Sequence, residues 1–294
     1  MTMANLSKES LKRLGELNRS RLRSPSGGAP KSERLPKPFS PSQEGAGGSL
    51  QGFLDPPDEL PGQEVETESG KFLMIRRHLA DIWPAAERFV AHYRLVFERG
   101  AIGVDLEALH PDVRQFCELD HRRLLYLDIE TCGLSAAPVF LVGLQYLKGD
   151  QMMLEQLLAR DYSEEKPVLE YFWCKMADYD ALTTFNGKSF DIPFLRERAV
   201  YHGVRHGAPD FHFDLLHEAR RRYKGEFPNC KLQTLEARVC SRLRRGDIPS
   251  ELIPKAYHHF VRTKDLRIVQ SIIHHNALDI VTMSEVLLRL LSGL

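Results

Sequence analysis

The chain of 294 residues has little cysteine, and the five cysteines are scattered and odd in number. Because none forms a Cys-x-x-Cys pair, the sequence favours neither a disulfide framework nor a zinc site, and it indicates reduced thiols. No stretch approaches the roughly 20 apolar residues that span a bilayer, and the first residues lack the apolar core of a signal peptide. We therefore expect a cytoplasmic protein that does not enter a membrane.

The chain also lacks net charge, because 40 basic residues balance 40 acidic ones. No overall field attracts a polyanion, so any nucleic-acid binding has to rest on a local basic patch. The clearest patch in the sequence consists of Arg220, Arg221, Arg222 and Lys224, joined by Arg242, Arg244 and Arg245, beside Tyr223 and Phe227. Such a patch is either a solvated helix face or a groove that follows a nucleic-acid backbone and stacks its bases.

Composition and periodicity divide the chain into three parts. A basic segment followed by Pro-, Gly- and Ser-rich sequence predicts a disordered arm over residues 1–62. Residues 63–120 predict an N-terminal extension, a β-hairpin turning at Ser69-Gly70 followed by a helix, which packs on the core. Residues 121–294 predict the main domain, with three strands, then helix, strand, helix, strand and further helices, which is an α/β order.

The first strand of this domain, LLYLDIE, ends in two carboxylates, Asp128 and Glu130. Alternate residues of a strand share one face, so both carboxylates point to the same side. Two charges buried together are costly unless something neutralises them, and the strand itself contains no lysine or arginine. Hard divalent cations prefer oxygen ligands, so the pattern indicates either a metal site or a strand end exposed to solvent.

Two later segments carry acids in positions that suit the same site. In TTFNGKSFDIPFL, Asp191 follows a strand and begins a helix, where it also complements the helix dipole. In HHNALDIV, His275 and Asp279 are four residues apart and therefore share one helical face, as a hydrogen-bonded pair also would. Each segment alone has a structural explanation; the set as a whole indicates a shared site.

The chain resembles the YprB-like ribonuclease H-like domain family of the DEDD 3′–5′ exonuclease superfamily. The segments that carry the resemblance are LDIETCGL, FLVGL, TFNGKSFDIPFL, FDLLHEARRRYKG and HHNALDIV. The resemblance extends from residue 64 to residue 290 and leaves out the N-terminal arm. It implies an α/β ribonuclease H-like fold, with a mixed central sheet flanked by helices and preceded by that arm.

The resemblance also implies a divalent-metal-dependent 3′–5′ exonuclease that hydrolyses phosphodiester bonds of DNA or RNA with a free 3′ end. Asp128, Glu130, Asp191 and Asp279 match the family's metal-binding carboxylates, which hold two Mg²⁺ or Mn²⁺ ions. One alternative is a structure-selective endonuclease with the same metal site. The other is a catalytically inactive nucleic-acid-binding module, which the intact set of acids disfavours.

The resemblance leaves two candidates for the general base. His274 lies five residues before Asp279, as in one branch of the superfamily, and His275 lies four before it, where another branch has Tyr. The family's His-Asn-x-x-Asp pattern and the helical spacing both favour His275. An imidazole with an ordinary pKa of about 6.5 is well suited to accept a proton near neutral pH.

The substrate-binding residues implied by the resemblance lie in two loops. Thr131, Gly133 and Leu134 match a turn that contacts the terminal nucleotide, although Cys132 replaces the family's usual Thr. In the second loop Asn186 and Lys188 are candidates for holding a phosphate or the terminal sugar.

Overall fold

The structure is a computed structural model that describes residues 59–99, 110–207, 209–244 and 246–292. The predicted disordered arm, residues 1–62, lies outside the described residues except for 59–62. The strands are β1 (Gln63–Thr67), β2 (Gly70–His78), β3 (Leu124–Thr131), β4 (Val139–Lys148), β5 (Gln151–Leu158), β6 (Ala181–Thr184) and β7 (Phe211–Asp214).

Helices cover both faces of the sheet that these strands form. They are α1 (Leu79–Ile82), α2 (Ala86–Arg99), α3 (Pro111–Cys117), α4 (Glu165–Met176), α5 (Asp191–His202), α6 (Leu215–Tyr223), α7 (Leu232–Arg238), α8 (Ile253–Thr263) and α9 (Leu266–Leu291). Three short 3-10 helices lie at His121–Arg123, Tyr162–Glu164 and Ser250–Leu252. Among the described helices, none combines the length and apolarity needed to cross a bilayer.

The sheet has seven strands in the order β1-β2-β5-β4-β3-β6-β7. β3, β6 and β7 are parallel to one another, whereas the remaining neighbours are antiparallel. β4 is buried along its whole length except at Lys148, as expected of a central strand covered on both faces. The predicted mixed central sheet flanked by helices is therefore confirmed.

The hairpin at one end of the sheet differs from its prediction in detail. It turns at Glu68 and Ser69, one residue earlier than the predicted Ser69-Gly70, because Gly70 already pairs with Thr67. β2 also pairs with β5, so the hairpin continues the central sheet. The division at residue 120 stays a prediction. At the other end of the sheet, β7 ends at Asp214, because that side chain accepts a hydrogen bond from the Leu216 N–H (3.1 Å) and caps α6.

Alternate residues of β3 point into two separate core layers. Leu125 and Leu127 face a layer shared with α4, α5 and α8, whereas Tyr126 faces a layer shared with α2 and α3. Helix α9 contributes to both layers. Asp128 and Glu130 continue the face of Tyr126, so strand periodicity alone directs both carboxylates to the same side of the sheet.

A glycine brings α9 close to the sheet beside these acids. Gly143 on β4 pairs directly with Asp128 on β3. A Cβ atom at Gly143 would collide with the side chains of Asn276 and Ile280 on α9. Because Asn276 and Asp279 lie on this part of α9, the bare backbone at Gly143 sets how near they come to Asp128.

We expect Gly143→Ala to lower the free energy of unfolding by about 1–3 kcal/mol, because the added methyl group overpacks the contact between β4 and α9. Thermal unfolding measures the loss. Gly207→Ala is the matched control, since a Cβ atom there meets nothing within 4 Å. Equal melting temperatures for the two variants would show that α9 does not depend on this close approach.

Candidate active site

The carboxyl ends of the parallel strands meet at one edge of the sheet, and the predicted acids lie there. β6 pairs with β3 only as far as Tyr126, so the last part of β3 has an open edge on that side. The backbone N–H of Ile129 acts on the carboxylate of Asp191 and lowers its pKa, so Asp191 lies near this open part of β3.

A tight turn after β6 delivers Asp191 to this edge. Asn186 has a left-handed backbone with φ of 67°, and a Cβ atom at Gly187 would lie 2.5 Å from the Cβ of Thr184. The buried carboxylate of Asp214 accepts hydrogen bonds from the N–H groups of Asn186 (2.8 Å) and Lys188 (3.1 Å). The Asp214 side chain therefore holds the backbone of the turn in place.

Helix α9 contributes the fourth acid together with an amide. Asn276 is fully buried, and its Nδ2 donates to the Asp128 carboxylate at 2.8 Å. Its Oδ1 accepts a hydrogen bond from Gln156 on β5 at 2.9 Å. These hydrogen bonds link β5, α9 and β3 and hold Asp128 in place. Asp279 follows Asn276 by one helical turn and therefore lies near Asp128.

The four carboxylates are close enough for their charges to act on one another. Burial raises the pKa of Asp128 well above its usual range, and the charges of Asp279, Glu130 and Asp191 raise it further. Burial also raises the pKa of Glu130 to about 8 and that of Asp191 to about 7. The structure thus brings together the four acids that the sequence singled out.

One cation reaches this cluster from a segment that the sequence did not connect with it. The guanidinium of Arg244 forms ion pairs with Asp279, with buried Glu236 and, at 3.0 Å, with Asp247. Arg242, two residues earlier, pairs with Glu236 (2.7 Å) and Glu285 (3.0 Å). Both arginines are neutralised and about nine-tenths buried, so their predicted place in an exposed basic patch is wrong.

The imidazole of His275 is held on three sides. Its Nδ1 lies 2.8 Å from Asp247 Oδ1, and its Nε2 lies 3.3 Å from Ser250 Oγ and 3.5 Å from Asp279 Oδ2. Burial lowers the pKa of His275, but the bond with Asp247 and the charges of Asp279 and Glu130 outweigh it, so the pKa is raised. Nδ1 of the ring therefore contacts Asp247, and Nε2 is directed toward Asp279 in the acid cluster.

His274 occupies a different position on the same helix. Consecutive residues of a helix are turned by about 100°, so His274 does not share the face of Asp279. Burial lowers the pKa of His274, and Arg77 on β2 is one of the charges near it. The ring of His275 contacts Asp279, an acid of the cluster.

The residues predicted to contact substrate lie in two loops at this edge. Thr131 donates its hydroxyl to the Gly133 carbonyl at 2.7 Å, and Leu134 at the tip of that turn is 88% exposed. Cys132 is half-buried against the core, and burial raises the pKa of its thiol, as suits a packed residue. In the other loop, Asn186 and Lys188 are exposed.

The donors at this edge suit a divalent cation in their chemistry, although the cluster is not yet shaped as a metal site. Within the described ranges, no group of three or more His, Cys, Asp or Glu side chains is arranged to hold a metal ion. Asp279 is instead bonded to Arg244. Nevertheless Asp128, Glu130 and Asp191 are buried oxygen donors that form no ion pair with a described lysine or arginine, and their raised pKa values reflect that unmet need for positive charge.

Comparison with known families agrees with this arrangement. Residues 125–291 match the RNase_H_2 family model of the RNase H superfamily. The chain belongs to the RNase H superfamily. The matched residues include all seven positions from Asp128 to Leu134 and the acids on α5 and α9. Membership gives the chain a ribonuclease H-like fold.

Individual relatives fit the same superfamily. The chain is 32% identical over 165 residues to the uncharacterized protein YprB of Bacillus subtilis. This match covers 54% of this chain and 40% of YprB. This RNase H superfamily member thus contains a YprB-like domain. The chain is also 24% identical over 147 residues to DNA polymerase 1 of Sulfurisphaera ohwakuensis. This match covers 48% of this chain and 16% of the polymerase.

One solved structure matches about half of the chain. The family B DNA polymerase of Pyrobaculum calidifontis matches 55% of this chain and 23% of its own, with a TM-score of 0.44 and 18% identity. The chain therefore spans less than half the length of each of these relatives.

Proposed function

We propose that this protein is a divalent-metal-dependent 3′–5′ exonuclease that hydrolyses phosphodiester bonds in DNA or RNA. The proposal depends on one observation: four acids from β3, α5 and α9 converge in a partly buried cluster whose charge Arg244 offsets only in part. Superfamily membership and the relationship to DNA polymerases support a nucleic-acid substrate. We expect the protein to act in the cytoplasm.

Asp128, Glu130, Asp191 and Asp279 would hold two Mg²⁺ or Mn²⁺ ions. When bound, such ions supply Lewis-acid stabilisation of the attacking and leaving oxygens of the scissile phosphate. Asp279 has to exchange its bond with Arg244 for this role, and Glu236 and Asp247 keep the guanidinium in place when it does. The freed Nη2 donor of Arg244 would then be available to the substrate phosphate.

His275 is the proposed general base, and its Nε2 is the atom that accepts a proton from the attacking water. Asp247 holds the opposite nitrogen and thereby fixes the tautomer and the ring orientation. Asp247 raises the pKa of His275 most, and the charges of Asp279 and Glu130 raise it further. The cations would neutralise Asp279 and Glu130, so cation binding would lower this pKa and favour a neutral Nε2 that can act as a base.

The turn after β3 is the proposed binding site of the 3′-terminal nucleotide. Thr131 and Gly133 close the turn and present Leu134 to solvent, where its side chain can pack on a base. The start of β4 fixes the other end of the turn, because the Val139 N–H donates to buried Glu165 at 2.9 Å. Exposed Asn186 and Lys188 are proposed contacts to the terminal phosphate or sugar.

The proposal is tested by digesting single strands and duplexes of DNA and RNA, labelled at either end, with Mg²⁺, with Mn²⁺ and in EDTA. A 3′–5′ exonuclease gives a ladder that shortens from the 3′ end and disappears in EDTA. Cuts in a closed circle would instead show a structure-selective endonuclease. Binding in EDTA without any metal-stimulated product would show an inactive binding module.

We expect His275→Gln to lower kcat by about 10²- to 10⁴-fold, because the residue that takes the proton is lost. His274→Gln is the matched control on the neighbouring position, and we expect a change of only a few-fold. Rates are compared on one end-labelled strand at a temperature well below the melting point of both variants. A larger loss in His274→Gln would assign the base to His274.

A further inference from the structure

Helix α8 has one face of basic and imidazole side chains. Lys255, His258, His259 and Arg262 follow the spacing i, i+3, i+4, i+7, and all four are exposed. The opposite face is buried in the core. The helix sequence, IPKAYHHFVRT, contains no acidic residue. We call these four residues the α8 stripe.

The cations of the α8 stripe are not neutralised by the protein. Across the described ranges, neither Lys255 nor Arg262 forms an ion pair within 4.0 Å. In contrast, Arg242 and Arg244 are buried in ion pairs, and Arg221 on α6 pairs with Glu218 at 2.7 Å. A net-neutral chain therefore keeps a local positive surface at α8 that a polyanion can contact.

An aromatic ring extends this surface. Tyr162 is 44% exposed, and its hydroxyl lies 2.6 Å from Nδ1 of His258 in the α8 stripe. Its ring meets that of Tyr257 edge-on at 5.9 Å, and Tyr257 stacks on Phe140 at 3.7 Å. This buried support holds Tyr162 in place while leaving part of its ring open to solvent.

Both the ring and the helix are continuous with the candidate active site. Phe140 precedes Leu141, which pairs with Glu130 across β3 and β4. Ser250, three residues before the start of α8, lies 3.3 Å from Nε2 of His275. The support of Tyr162 and the start of α8 thus adjoin residues of the candidate active site.

We propose that the α8 stripe and Tyr162 bind the segment of a single nucleic-acid strand that precedes the nucleotide being removed. This inference rests on the proposed function for the direction of the strand. Lys255 and Arg262 contact phosphates, and the rings of Tyr162 and His258 stack on bases. Backbone charge and base stacking are common to DNA and RNA, so the surface does not distinguish the two sugars by these contacts.

The test measures binding of a fluorescent single strand about 12 nucleotides long, as DNA and as RNA, in EDTA so that no cleavage occurs. We expect the double variant Lys255→Gln/Arg262→Gln to reduce the slope of log affinity against log salt by about 1.4, since each single-strand phosphate contact contributes about 0.7. Arg88→Gln/Arg114→Gln is the control, because it removes the same charge from exposed positions of α2 and α3, and its slope should equal that of the wild type.

A second pair of variants separates stacking from charge. We expect Tyr162→Ala to weaken binding about 5- to 150-fold, the range for losing one base-stacking ring, whereas Tyr162→Phe keeps the ring and binds within a few-fold of the wild type. Retained binding in Tyr162→Ala would overturn the stacking role.

The α8 stripe and the exonuclease proposal fail in different ways. An unchanged salt slope in the α8 double variant, or an equal loss in the control double variant, overturns the stripe whether or not the wild type cleaves. Conversely, a wild type that never cleaves but loses binding in the α8 variant supports the stripe and removes the exonuclease proposal.

Discussion

The Asp128→Asn variant is expected to hydrolyse an end-labelled strand at least about a thousand-fold more slowly than the wild type, because a site that needs divalent cations loses one of its buried charges. The change keeps the size of the side chain, and the variant should remain folded. It also removes a carboxyl whose own pKa is raised by burial and by the charges of Asp279, Glu130 and Asp191. The measurement is the initial rate in Mg²⁺, accompanied by circular dichroism and thermal unfolding.

Asp178→Asn is the matched control, because it makes the same change at an exposed aspartate after α4. We expect this variant to cleave at the wild-type rate. If folded Asp128→Asn cleaves as fast as Asp178→Asn, the cluster of acids is not the catalytic centre.

The arrangement of the acids follows from local periodicity, and this is why the sequence indicates it. Strand alternation directs Asp128 and Glu130 to one face, and helical spacing puts His275 and Asp279 on one side of α9. The long apolar run of β4 likewise predicts a central strand. Each of these inferences needs only neighbours within about one turn or one pleat.

The partners of those acids depend on contacts between distant parts of the chain, which no local pattern encodes. Arg244 lies 35 residues before Asp279, in an irregular segment whose arginines are indistinguishable by composition from a surface patch. Asp247 lies 28 residues before the imidazole that it holds. The segment RGDIPSELIP is part of the resemblance, but the sequence assigns neither residue a role.

The same limit applies to the basic patch that the sequence favoured for strand binding. Tyr223 and Phe227 stack on each other at 4.8 Å, and Tyr223 is 7% exposed, so it packs in the core instead of offering a ring to a base. In the α8 stripe the basic residues are separated along the sequence by Ala256, Tyr257 and the residues that bury the helix. Only the folded helix brings them onto one side.

The melting temperature should reveal cation binding independently of cleavage. The effect of the cations on the melting temperature should depend on pH. Burial raises the pKa of Glu130 from 4.5 to about 8 and that of Asp191 from 3.8 to about 7. A group whose pKa is raised by folding favours the folded state below its unfolded pKa, and this contribution is lost as the pH rises through the folded value. In EDTA we therefore expect the melting temperature to fall by about 5 °C or more between pH 5.5 and pH 8.5.

Mg²⁺ or Mn²⁺ should reverse this fall, because a cation bound to the folded state alone stabilises it by mass action, by about 2.7 kcal/mol at a concentration one hundred times Kd. The increase should be larger at pH 8.5 than at pH 5.5, where protons already neutralise the acids. In Asp128→Asn both the fall in EDTA and the recovery with metal should shrink, since one of the mutually repelling carboxyls is gone. Two results would contradict the divalent-metal site: a melting temperature in EDTA that rises with pH, or a melting temperature at pH 8.5 that neither cation changes. Either result would mean that the acids are neutralised in another way.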